Sequence, residues 1–162
     1  MNRHDTDTHT LDHLARDVAT RATLAVGLAA IGVIHLLDSI GKYGETRYLF
    51  WMYIALIAGS IAVAGAVLFT RSRAAFLAAA ALAGSAAVGY ILSRTTGLPS
   101  AKGDIGNWTE PLGLASLFVE GGVIAVAAGA FAITRRTRSA EPMPPAAASR
   151  RRPLTGQSVR AS

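Results

Sequence analysis

Four stretches of this chain run for the length of a bilayer crossing almost without charge, and this limits the possible folds more than any other feature. Residues 22–40 hold no Lys, Arg or Glu and are interrupted only by His35 and Asp38. Residues 49–70 carry no ionisable side chain except Tyr53, residues 74–93 none except Tyr90, and residues 111–134 a single charge, Glu120. About 20 apolar residues in a helix cross the hydrocarbon core. Together the four stretches make up just over half of the 162 residues. Helices of a soluble four-helix bundle would each show a polar stripe at helical period, whereas here every side is apolar or small. The expected fold is all-α: a single four-transmembrane-helix bundle over 22–134, with spans at 22–40, 49–70, 74–93 and 111–134.

The flanks are expected to be different. Residues 1–21 read as an N-terminal segment that forms a short juxtamembrane helix, with Thr10 as a cap. The first apolar run exceeds a signal-peptide core and follows an Asp-rich segment, so a cleaved leader is not expected. Residues 135–162, rich in Pro, Ala, Ser and Arg, read as a disordered basic tail. Its "RRR" at 150–152 could touch acidic headgroups or simply be solvated.

Four spans put both ends of the chain on one side. Twelve of the 16 Lys and Arg residues then share that side, with Arg16, Arg21, Arg71, Arg73, Arg135, Arg136 and Arg138 among them. Lys42, Arg47, Arg94 and Lys102 fall on the other. Basic residues resist translocation, so both termini are expected in the cytoplasm of a plasma-membrane protein, and the 41–48 and 94–110 loops outside. The formal charge of +6 is explained by topology and by contact with anionic lipid, so nucleic acid is not an expected partner. The lipid bilayer is, together with a second copy or a partner membrane protein.

Small residues recur every fourth position: Ala58, Ala62 and Ala66; Ala81, Ser85 and Gly89; Gly121, Ala125 and Gly129. Such stripes let helices approach closely and would serve the bundle itself or a homodimer. A faint repeat pairs "GVIHLLDS" (32–39) with "AVGYILSR" (87–94), which would make His35 and Tyr90 equivalent positions.

The site hypothesis rests on the few polar groups inside the spans. A charge in the hydrocarbon core costs roughly 2.5–3.5 kcal/mol and usually faces the bundle or a cavity. Glu120 lies near mid-span, with Ser116 one turn earlier on the same face. His35 and Asp38, at i and i+3, lie near the outer end of the first span. Tyr90 and Arg94, at i and i+4, lie near the outer end of the third. These five residues, Glu120, His35, Asp38, Tyr90 and Arg94, are the candidate ligand-binding or ion-coupling residues, converging on a pocket that opens outward. Simpler roles stand beside that one: Asp38 capping a helix end, Arg94 extending toward solvent, His35 in an interhelical hydrogen bond. Trp108 is expected to anchor the interface. Glu110 precedes Pro111, which suits the first turn of a helix.

The stretch "SRTTGLP" (93–99), followed by "EPLGL" (110–114) and an apolar span, with "HLLD" in the first span, resembles an uncharacterised family of small four-helix bacterial membrane proteins that share an SRTxGLP and EPxGL order. The resemblance covers residues 22–134 and implies a four-span plasma-membrane protein. It brings no activity, cofactor or catalytic residue. In span count the chain is also similar to the small DoxX-type membrane proteins.

No catalytic motif is present, and an enzyme is the less expected class. With no cysteine, thiolate metal and iron–sulfur chemistry is excluded. Haem is disfavoured, since His35 is the only His in a span and Met52 reads as packing. A metal on His35, Asp38 and Glu120, or on His9 and His13, is chemically allowed, so metal and cofactor stay unknown. The expected function is binding of a small ligand, metal or partner at the outer polar cluster. The alternative is a small ion- or proton-coupled transporter using Glu120 and His35.

Overall fold

A computed structural model of the chain describes residues 3–70 and 72–139. It is all-helical: α1 (Arg3–Glu45), α2 (Arg47–Phe69), α3 (Arg73–Thr95) and α4 (Pro111–Ser139). Each contains a stretch long and apolar enough to cross a membrane, within Leu11–Gly41, Arg47–Phe69, Arg73–Thr95 and Pro111–Ile133. The helices form a ring. α1 packs most extensively on α2 and α3 on α4; α1 with α4, then α2 with α3, close it.

Several boundaries differ from the sequence expectation. α1 is continuous from Arg3, so Thr10 sits inside a helix rather than capping one. It also runs on to Glu45, and α2 starts at Arg47, so the expected 41–48 loop is only Thr46. Thr46 turns the chain in extended conformation, and its carbonyl accepts from Leu49 and Phe50. Asp38 therefore lies within α1 and caps nothing. α4 continues to Ser139. Nothing in 3–20 or 134–139 breaks a helix, and the apolar window marks only the part of each helix that could be buried in lipid. The rest of the tail, including 150–152, and the side chain of His9 lie outside the described residues.

The core, Leu24, Leu28, Ile31, Val67, Phe76, Ala79, Ala83, Val123 and Ala127, fills the half of the bundle away from Thr46. Close approaches set the helix spacing there. A Cβ on Gly27 of α1 would lie 2.5 Å from Val123 Cγ2 of α4. At the same end Arg21 clasps the end of α2, its Nη1 donating to Val67 O at 2.8 Å and Thr70 O at 2.6 Å. The outside of the bundle is apolar: Ile40, Ile61, Phe69, Phe118 and Ile133 are all exposed, Phe69 by 87% and Phe118 by 84%. Most of the small-residue stripes lie outside the bundle, although Ala66 packs against the core and Gly89 lines the cavity described below. Ala58, Ala62, Ala81, Ser85, Gly121, Ala125 and Gly129 all face outward.

Candidate functional site

At the Thr46 end the helices leave a cavity of about 510 Å³, bordered by all four helices and by the 96–110 loop. His35, Asp38, Tyr90 and Arg94 line it. Glu120 lies just behind its wall. Five residues chosen from sequence thus gather in one region, as two linked groups.

The deeper group centres on Glu120, which is 0% exposed. Ser116, one turn earlier on α4, donates its hydroxyl to Glu120 Oε1 at 2.6 Å. His35 Nε2 of α1 stands 4.0 Å from the same oxygen. His35 Nδ1 lies 2.9 Å from the Ile31 carbonyl one turn back. That carbonyl can only accept, so Nδ1 carries a proton and Nε2 is the nitrogen free to exchange one. Glu120 Oε2 has no hydrogen-bond partner among the described residues. Tyr53 of α2 completes the wall. Its ring meets His35 edge-on at 5.3 Å between centroids, and its hydroxyl interacts with the Asp38 carboxylate.

The second group holds the loop over the cavity. Arg94 is only 5% exposed. It does not extend toward solvent; its guanidinium lies beneath the loop. Nη1 is 3.2 Å from Asp104 Oδ2, and Nη2 pairs with Glu110 Oε2. Its guanidinium stacks on Tyr90, 4.8 Å from the ring centroid, while its carbonyl accepts from Gly106 N at 2.9 Å. Arg94 Nε is buried without a partner among the described residues. Tyr90 donates to the Trp108 carbonyl at 3.4 Å and meets the indole edge-on. The far side of the loop is tied to α2, where the Tyr48 hydroxyl donates to Pro99 O at 2.6 Å.

These ties give the quoted motif a local physical meaning. In "SRTTGLP", Arg94 holds the loop, Gly97 leaves the helix at a φ of 74° open to glycine, and Pro99 offers the carbonyl to Tyr48. In "EPLGL", Glu110 answers Arg94 and Pro111 starts α4. Gly113 admits the Tyr90 ring, which a Cβ there would strike.

Three contributors were missed by reading the sequence. Asp104 sits in a polar loop, where an acid gives no signal. Tyr53 was seen only as an ionisable exception in an apolar run. Met52, read as packing, is 56% exposed at the rim of the cavity. Trp108 lies over Tyr90 with its ring partly exposed. His35 and Tyr90 reach the cavity from the diagonal helices α1 and α3.

A metal on His35, Asp38 and Glu120 does not fit this arrangement, while the His9 and His13 set lies partly outside the described residues. Among the described residues no three His, Asp or Glu side chains are grouped to hold an ion; Asp38 turns to Tyr53 while His35 turns to Glu120. Comparison with protein-family models, curated proteins and solved structures gives no match to this chain.

Proposed function

We propose that this is a multi-pass plasma-membrane protein, with both termini in the cytoplasm, that binds a small ligand in the cavity beneath the 96–110 loop. In this reading Glu120, His35, Asp38, Tyr90 and Arg94 are the binding residues, and Trp108 anchors the outer interface. The membrane assignment is supported by the many large apolar side chains exposed on the outside of the helices and by most of the arginines falling at the end opposite the loop. The SRTxGLP and EPxGL order, taken as the mark of a family of small four-helix membrane proteins, belongs to the same proposal. So does a second copy or partner helix against the outward small-residue stripes.

One observation carries the binding reading: a fully buried carboxylate, Glu120, keeps one oxygen without a partner among the described residues, just behind the wall of a cavity of ligand size. Small-molecule sites span roughly 300–1,000 Å³ and combine apolar walls with a few convergent polar groups. A buried polar atom left unpaired costs free energy that a ligand would recover. The test is native mass spectrometry of protein purified in mild detergent, with metal content measured alongside. A bound small molecule in the wild type, weakened in Glu120→Gln, is the expected result. An empty protein with no stabilising ligand in a thermal-shift panel would remove the reading. Topology is tested separately by reporter fusions at both ends, which should be active only on the cytoplasmic side.

The His35–Glu120 pair favours a second reading, a proton-coupled carrier in which the pair exchanges a proton. It requires pH-dependent flux in proteoliposomes that Glu120→Gln abolishes.

A further inference from the structure

The direction from which the cavity opens carries information beyond its chemistry. Among the residues that line it, Met52, Ala55 and Ser85 are the exposed ones. All three belong to α2 and α3, the neighbouring helices that pack least on one another. Lower down the two helices meet closely, since a Cβ on Gly59 would lie 2.9 Å from Leu82 Cδ1. Above that contact lies a gap walled by Ala55 of α2 and by Ser85, Ala86 and Gly89 of α3, with Met52 at its rim. The end of the bundle, by contrast, is roofed. The loop over it is tied to Tyr48 on α2 and to Arg94 on α3.

The charges inside are unbalanced. Arg94 already faces Asp104 and Glu110. Among the described residues, Asp38 has a tyrosine hydroxyl beside it, and Glu120 a serine and a histidine. An anionic head would meet spare carboxylates and a cation already neutralised. A head that donates hydrogen bonds would find an acceptor at Asp38 on the cavity wall, with the Glu120 carboxylate just behind it.

The geometry points to a laterally loaded site: the ligand is a membrane-dissolved amphiphile with a hydrogen-bond-donating head, an ammonium or hydroxyl, that enters between α2 and α3. This rests on the ligand-binding reading above and specifies its substrate class. The head reaches the Asp38 and Glu120 region, and the apolar body lies along Met52, Ala55 and Ser85 in the gap.

The test uses the full chain in phosphatidylcholine vesicles and three photoreactive probes of equal chain length: dodecylamine, dodecanol and dodecyl phosphate. Crosslinks are mapped by mass spectrometry. The amine and the alcohol should label the Met52–Ala55 and Ser85 regions, exceeding the phosphate by roughly tenfold, because like charges in a desolvated site repel. Ala55→Phe and Ser85→Phe, which fill the gap from exposed positions, should each cut that labelling by roughly tenfold, equivalent to about 1.4 kcal/mol of lost affinity. Ala58→Phe, equally exposed but outside the gap, should leave it unchanged. Propylamine, small and water-soluble, is titrated in parallel by saturation-transfer NMR. If propylamine binds while the amphiphiles miss the gap, or if labelling survives both Phe variants, lateral access is wrong and the cavity reading stands. If dodecyl phosphate labels as well as dodecylamine, the head-group assignment fails. If neither propylamine nor any amphiphile binds, the cavity reading itself falls.

Discussion

Glu120 and Arg94 are both buried charged residues, and they differ in how they are answered. Glu120 has one hydroxyl and a distant imidazole; Arg94 has two carboxylates and an aromatic face. Glu120→Ala removes a filled volume and strands Ser116, so it should destabilise by about 2–4 kcal/mol, measured by thermal or denaturant unfolding in detergent. Glu120→Gln keeps the shape and should cost less than half of that. Arg94→Ala should loosen the loop. The expected loss is about 1–3 kcal/mol, below that of a fully buried pair, because Asp104 and Glu110 are 37% and 35% exposed. Amide exchange across 96–110 should then accelerate by at least about tenfold, while the α1–α2 amides stay protected. Unchanged exchange in the loop would show that Arg94 does not hold it. The candidate residues were legible in the sequence because an ionisable side chain inside an apolar run stands out against its background. Asp104 was not, since one acid in a polar loop looks like any other. Nor could the sequence tell that Arg94 turns inward, because that depends on two acids brought to it by a turn.

At the level of the helices, the number and approximate position of the four long apolar helices were readable because each apolar run has a definite length. Their ends were not. Hydrophobicity marks where a helix could enter lipid, and helical hydrogen bonding continues past that point in α1 and α4. The small-residue stripes left their side open for a related reason. A stripe shows that helices can approach closely, but not on which side, and here most of it lies outward. Contacts between particular residues do the joining. Gly27→Ala would push a methyl into Val123, which is buried and cannot retreat, at a cost of about 1–3 kcal/mol. Arg21→Ala would release the carbonyls of Val67 and Thr70, costing about 1.5 kcal/mol. Its signature should be fraying of the last turn of α2 in hydrogen exchange, with the loop end unaffected.

For the whole molecule, the decisive property is that the apolar surface faces both ways. Phe118 is 84% exposed on α4, two residues before Glu120. In a protein surrounded by water Phe118→Arg would be harmless. In a bilayer it places a charge against lipid at a cost of roughly 2.5–3.5 kcal/mol. The expected outcome is a marked drop in the membrane-inserted fraction in a translocation assay. Full insertion of the variant would mean that α4 does not face lipid there.

The single-residue joint at Thr46 also fixes an angle. One residue inserted within the first turns of α2, next to a joint with no slack, would turn the rest of α2 by about 100° about its own axis relative to α1. Tyr53 would swing away from Asp38 and His35, and Met52 and Ala55 would leave the rim together. The same insertion in the 96–110 loop would be absorbed before reaching α4. The joint therefore acts as a phase lock between two helices, and changes in chain length are tolerated on one side of the site and excluded on the other.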